Sequence, residues 1–407
     1  MTTTSSPATP PADSENQSRT IIFLTMSLDI GGTEKHLSLV APRLRAYGWN
    51  PVIVCLWRRG PMAAAVEAAG VTVIGREVCG GSSRNWTADA PHIAMAWFRL
   101  AALIRRTRPQ IVHVFLPVAY MLGAPLAIVF RVPVKVMSRR SLNLYQRGRS
   151  AVHRIESWLH RRMTAVIANS RKIARQLIEQ EGCAPEQVGL IYNGTDLSAI
   201  ADAQPHPAFM GTARLTMIVV ANLIAYKGHA DLIAALGEIA DRLPQPWQLL
   251  CVGRDDGIGQ ALREQASALG LKENIHFLGE RSDVPQLLKA ADFGILCSHQ
   301  EGFSNALIEG LAAGLPMVVT DVGGNAEAVT HGETGMVVPP HQPQALADAI
   351  LALASDPERR SRMGAAARAS ATQRFSIETC VEKYDRLYRG LLSGESAARI
   401  AGLDPAQ

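Results

Sequence analysis

Short apolar runs recur along the chain, separated by longer stretches in which apolar residues repeat with a helical period. In the first half the runs are Ile21–Thr25, Pro51–Leu56, Val71–Ile74, Ile111–Phe115, Val134–Met137 and Ala165–Ala168. In the second half they are Thr216–Val220, Gln248–Val252, Ile275–Leu278, Phe293–Cys297 and Met317–Thr320. Their shortness and β-branched content predict strands buried on both faces. Strands alternating with helices predict parallel sheets covered by helices. The alternation occurs twice, and 407 residues suit two domains better than one core. The expected fold is therefore α/β: two Rossmann-like, doubly wound parallel-sheet domains facing a cleft. Ligands of such sheets sit beyond the carboxyl ends of the strands, which places the site between the domains.

Breaks in the pattern set the expected organisation. Residues 1–18 are rich in Thr, Ser and Pro and read as a disordered tail; they lack the apolar region of a signal peptide. A first domain is expected over 19–203 and a second over 204–376. The boundary falls near Ala201–Gly211, where Pro205, Pro207 and Gly211 interrupt any period. In 377–407, a helix over Ile377–Leu392 could lie back across either domain, with fraying expected after Ser393. Ile111–Phe130 carries no formal charge. However, His113, Pro117, Gly123 and Pro125 interrupt it, so a strand followed by a core helix fits better than a membrane span.

Charge divides the halves. The net charge of +5 is made of 24 Lys and Arg against 12 Asp and Glu in residues 1–200, and 17 against 24 thereafter. The basic half favours an anionic surface or substrate. Its densest stretch is Arg139, Arg140, Arg147, Arg149, Arg154, Arg161 and Arg162, which reads either as a solvated face or as a patch for acidic lipid head groups. No nucleic-acid motif accompanies these arginines, so nucleic acid is not an expected partner. The six cysteines form no CxxC pair and suit small buried thiols in a reducing compartment. The expected location is the cytoplasm, with peripheral contact to the inner membrane face.

The densest chemistry lies in Glu301-Gly302-Phe303-Ser304-Asn305-Ala306-Leu307-Ile308-Glu309-Gly310. The segment follows a predicted strand, Ser304 is a good helix N-cap, and Gly314 with Pro316 ends the helix. Free N–H groups at such a helix start can hold a diphosphate. Glu301 can accept hydrogen bonds from sugar hydroxyls, and Glu309 from the hydroxyls of a ribose. Gly31-Gly32-Thr33-Glu34 follows the first strand and opens a helix, where glycines allow close backbone approach. Asp255-Asp256 lacks a D-x-D arrangement, and no metal-ligand spacing appears. No metal and no cofactor beyond a donor substrate are expected.

Here the chain resembles the family 4 glycosyltransferases of the GT-B fold, also called glycosyl transferases group 1. Glu301 to Glu309 is similar to their E-x7-E motif. Ile191-Tyr192-Asn193-Gly194-Thr195-Asp196, Tyr226-Lys227-Gly228-His229, Asn274–Gly279, and Gly314–Val318 with Asp321–Gly324 resemble further family segments in order. The resemblance is dense over 190–340 and weaker over 20–190. It implies transfer of a sugar from a nucleoside diphosphate, with retention, to a glycan or lipid-linked acceptor. It implies catalytic roles for Glu301 and Lys227. Donor binding is assigned to Gly31, Gly32, Asn222, Lys227, Gly253, Arg281, Phe303, Ser304, Asn305 and Glu309. Asn222 stands where the family often has an arginine. The usual first-domain histidine has no counterpart at Met137–Asn143: either Arg139 or Arg140 takes its place, with Arg139 assigned the catalytic role, or the acceptor pocket differs. His113 is the other candidate, though a hydrogen-bonded core or cleft-lining histidine fits it better. The same fold also hosts sugar-nucleotide epimerases, and a non-catalytic binding scaffold is the remaining alternative.

Overall fold

The computed structural model describes residues 19–77, 86–143, 150–209 and 214–402. The tail 1–18, Cys79, Arg147, Arg149 and Gly211 lie outside the described residues.

The chain forms two separate parallel sheets. The first has seven strands: β1 (Arg19–Thr25), β2 (Trp49–Cys55), β3 (Thr72–Ile74), β4 (Ile111–Phe115), β5 (Val134–Arg139), β6 (Ala165–Ala168) and β7 (Val188–Leu190), in spatial order 3-2-1-4-5-6-7. The second has six: β8 (Leu215–Val220), β9 (Trp247–Val252), β10 (Ile275–Gly279), β11 (Phe293–Leu296), β12 (Met317–Thr320) and β13 (Gly335–Val338), in order 10-9-8-11-12-13. Both orders reverse beside their first strand, at β1/β4 and at β8/β11. This is the topological switch point at which doubly wound sheets bind ligands.

The central strands are apolar on both faces because helices cover both. Ile21 and Phe23 of β1 face one core and Ile22 and Leu24 the other. In the second domain Met217 and Val219 of β8 face one core and Ile218 the other. Strands β7 and β13 were not evident from the apolar pattern. Each is short, contains a glycine and lies at a sheet edge, so the run is too brief to show a strand pattern. Ile111–Phe130 resolves into β4 and a helix over Pro117–Val129. Among the described residues no helix is long and apolar enough to cross a membrane.

The chain crosses between the domains twice, and the two crossings touch. Thr195 N–H donates to Phe375 O at 3.0 Å, and Ile377 N–H donates to Thr195 O at 2.9 Å. Beyond this point the helix Ile377–Leu392 packs on the first sheet, burying Ile377, Val381, Tyr384, Leu387, Tyr388 and Leu391 in its core. The residues after Ser393 do not fray at once. Ser396 caps a further helix, Ala397–Ala401, whose apolar side lies against β7.

Candidate active site

The loops that follow β8 and β11 meet at the switch point of the second sheet. After β8 the chain makes a short 3-10 turn over Ala225–Lys227 and then opens the helix His229–Ile239. The turn ends at Gly228 with φ 74°, and a Cβ there would collide with the carbonyl of Cys297. Only glycine permits both the left-handed backbone and the close approach. The two loops are therefore pressed together, and the Lys227 ammonium reaches Glu301 Oε1 at 2.6 Å. Ser298 Oγ donates to the same oxygen at 2.8 Å.

Ser304 caps the helix Asn305–Ala313 by accepting from Leu307 N–H, and Gly314 closes it in a left-handed turn at φ 85°. Its first turn faces Gly32 of the first domain across a cavity of about 420 Å³. Gly32, Ala221, Asn222, Tyr226, Lys227, Gly253, Asp256, Arg281, Ser304 and Ala306 line this cavity. Backbone N–H groups at a helix start, one lysine and one arginine give it an anion-binding character. Arg281 is held by both oxygens of Asp283, at 2.8 and 2.5 Å. Asn222 joins two loops: its Oδ1 accepts from Arg254 N–H at 3.2 Å, and its Nδ2 donates to Asp256 at 3.3 Å. No arginine stands in its place. Asp255 accepts from the backbone N–H groups of Gly257, Ile258 and Gly259, which fixes its loop.

Glu301 and Glu309 do not line the cavity but are mostly buried next to it, Glu301 against Lys227 and Glu309 on the helix whose first turn lines the cavity. Glu309 Oε1 accepts from Lys35 of the first domain at 2.5 Å, a contact across the cleft. Gly31 caps the first-domain helix Gly32–Leu44, and Asn305 Nδ2 donates to Gly32 O at 3.4 Å. Glu34, in the first turn of that helix, has its carboxyl pushed up by burial; nearby Asp29 adds to this and Arg140 opposes it. His229 is buried with neither ring nitrogen hydrogen-bonded, and burial, with Lys227 beside it, lowers its pKa to about 4.

Two assigned residues turn elsewhere. Phe303 points into the core, against Tyr192 and Phe375, so only its backbone serves the loop. Arg139 is buried inside the first domain, ion-paired with Glu156 and Glu181, and does not reach the cleft. The next residue, Arg140, does. Successive side chains leave a strand on opposite faces, so a shift of one residue decides the matter. His113 is a core residue, bonded to Tyr388 Oη at 2.7 Å and to Ser138 Oγ at 2.8 Å.

One member, Asn193, stands in the segment Ile191–Asp196 but has no role assigned from the sequence. Its Oδ1 accepts from Arg140 at 2.7 Å and from Asn169 at 3.2 Å. Its Nδ2 donates to Phe303 O at 2.9 Å and to Asn305 Oδ1 at 2.8 Å. Asn193 thus fastens the glutamate-bearing loop to the first domain. A larger cleft of about 900 Å³, lined by Arg171, Lys172, Arg175, Tyr192, Asp321, Glu327 and Arg374, also lies between the domains. Lys227 and the start of the Asn305 helix line the smaller cavity and not this one, so the smaller cavity is the better seat for the chemistry.

A glycine-lined helix start, a lysine and two carboxylates set between two doubly wound domains define an α/β enzyme of the GT-B type. The comparisons agree. Residues 30–199 match the profile described as "Glycosyltransferase Family 4", and residues 209–370 match "Glycosyl transferases group 1". The chain belongs to the family 4 glycosyltransferases. It is 27% identical over 392 residues to a glycogen synthase of Mycobacterium tuberculosis, covering 90% of this chain and 92% of the relative. It is 32% identical over 252 residues to a D-inositol 3-phosphate glycosyltransferase of Nocardia farcinica, covering 58% of this chain and 56% of the relative. Its fold is similar to that of HepE from Anabaena, solved in complex with UDP-glucose, with TM-score 0.75, 24% identity and coverage of 92% and 99% of the two chains.

Proposed function

We propose that the cavity binds a nucleoside-diphosphate sugar and that the enzyme transfers the sugar, with retention, to a lipid-linked or cell-envelope glycan acceptor. One observation carries the donor assignment: Lys227, Arg281 and the Ser304–Ala306 helix start converge on one cavity beside Glu301 and Glu309. In this reading the helix start and Lys227 hold the diphosphate, Glu301 the sugar and Glu309 the ribose. These groups stabilise the charge that develops on the leaving diphosphate, so no added magnesium or manganese is required. Retention rests on the family resemblance, and the HepE complex supports a uridine nucleotide as the first donor to try.

The acceptor reading rests on the first domain. A pocket of about 540 Å³ beyond β2 and β3 has an apolar floor including Val54, Leu56, Trp57 and Leu100, with Arg76, Arg99 and Arg106 around it. Met95 and Phe98 are exposed on the same helix, Trp86–Thr107, and Ile155 and Trp158 on the helix Ser150–His160. Arg162 stacks over Trp158, and Arg154 and Arg161 lie near it in sequence, whereas Arg139 and Arg140 turn inward and leave the basic patch. Exposed aromatic residues among arginines suit the surface of an acidic bilayer.

A melting-temperature screen of nucleoside diphosphates and their sugars tests the donor, because a bound ligand raises the melting temperature by mass action. One nucleotide family should stand out, and its sugar should be released or transferred only with an acceptor present. A flat screen, or an epimerised donor formed without acceptor, overturns the reading. Flotation with acidic and neutral vesicles tests the membrane contact, with enrichment expected on the acidic ones only.

A further inference from the structure

Three side chains with metal-ligand chemistry converge at the rim of the second domain, outside the donor cavity. Asp231 lies in the first turn of the helix His229–Ile239, His299 precedes Glu301 in the loop after β11, and His341 follows β13. One donor atom from each lies within 4.8 Å of the others. His299 Nε2 is 2.9 Å from Asp231 Oδ2, and the rings of His299 and His341 have centroids 3.8 Å apart. Magnesium and calcium favour all-oxygen sites, whereas two imidazoles and a carboxylate suit zinc and its neighbours. A tetrahedral ion with bonds of about 2.0–2.1 Å separates its donors by about 3.3 Å. The Asp231–His299 spacing is already close to that. A simple Asp–His ion pair would account for those two residues but not for the third. His341 is exposed, and its backbone is in the left-handed region at φ 59°, uncommon for a residue other than glycine.

We propose that Asp231, His299 and His341 form a site for one divalent transition-metal ion of the zinc class, with water in the fourth position. The site is separate from the diphosphate cavity and does not depend on the donor assignment. Its role is structural. Asp231 follows the Lys227-Gly228 turn closely, and His299 N–H donates to Tyr226 O at 2.7 Å. The ion therefore fastens the segments bearing Lys227 and Glu301 to the His341 loop.

The test uses the full chain, freed of metal by chelator and dialysis. It is titrated with zinc chloride against a chromogenic chelator, and separately with cobalt chloride under visible absorption. One ion per chain, a tetrahedral cobalt band and a zinc-dependent rise in melting temperature are expected. His341→Ala should weaken binding at least about tenfold, the lower range seen even for groups that only support a ligand. Because His341 is exposed, this variant should melt like the parent when metal is absent. Asp231→Asn should weaken binding in the same direction. Zinc bound as tightly by His341→Ala as by the parent, or no one-to-one binding at all, overturns the proposal and leaves an Asp–His pair beside a stacked imidazole.

Discussion

Lys227 and Glu301 hold each other at 2.6 Å, so each is positioned before a donor arrives. A diphosphate entering the cavity carries more negative charge than one carboxylate and draws the ammonium toward itself. A charge-assisted hydrogen bond of this kind contributes about 1.5–3 kcal/mol. Lys227→Ala should therefore lower kcat/KM for the donor roughly ten- to a hundred-fold; a loss under about twofold in steady-state kinetics would remove Lys227 from the site. The buried Arg139 cluster makes a different prediction. Burial alone would raise Glu181 above its ordinary 4.5, but hydrogen bonds from His160 and Gln176 and the charge of Arg139 outweigh it and hold the carboxyl at about 2. A depressed folded-state pKa means stability fully present above about pH 4.5 and lost as pH falls toward 2. Urea unfolding at pH 7, 4 and 3 should show that decline, and Glu181→Gln should flatten it. These residues also show what the sequence could reveal. Glu301 and Glu309 were legible from their spacing within one segment, and Lys227 from the separate Tyr226–His229 segment that resembles the family's. Arg139 and Arg140 were not separable, because a one-residue uncertainty at the end of a strand exchanges inside for outside. Asn193 was illegible as a hub because its partners Phe303 and Asn305 are more than a hundred residues away in the chain.

The helix Asn305–Ala313 is where local signals and function coincide. Ser304 caps it, Gly314 terminates it, and its first turn forms one wall of the donor cavity. Its sequence therefore predicted its limits, and the same residues carry the proposed use. Ser304→Ala removes the side-chain acceptor from Leu307 N–H and should cost about 0.5–2 kcal/mol of stability. It should also raise the donor KM, because the same turn presents the N–H groups assigned to the diphosphate. An unfolding midpoint and a KM that both stay unchanged would show that the start of the helix is fixed by packing alone. The strands follow the same logic. Those buried on both faces, such as β1, β4 and β8, were written in predominantly apolar runs, with His113 and Thr216 the polar residues inside β4 and β8. The edge strands β7 and β13 were not, since runs of three and four residues containing a glycine carry too little apolar pattern to be read as strands, although β7 is fully buried.

The two domains are joined by more than a linker. The segment after β7 and the segment before Ile377 are hydrogen-bonded at Thr195, so both crossings share one axis. Near that axis Asn193 ties Arg140 of the first domain to Asn305 of the second, and Lys35 meets Glu309 across the cleft. The last long helix matters most for this arrangement. It follows the donor domain in the chain but completes the core of the other. Ile377, Val381, Leu387 and Leu391 alone contribute roughly 6–12 kcal/mol of burial, comparable to the typical margin of about 5–15 kcal/mol for a whole domain. A chain ending at Ser376 should lose the cooperative melting of its first domain and expose the apolar face that Tyr384 and Tyr388 now cover. A chain ending at Ser393 keeps the long helix and loses only the short one against β7. It should remain folded with a lowered melting temperature. Calorimetry on the two truncations separates these outcomes. Parent-like melting of the shorter chain would mean that the first domain is stable without the helix lent to it from beyond the donor domain.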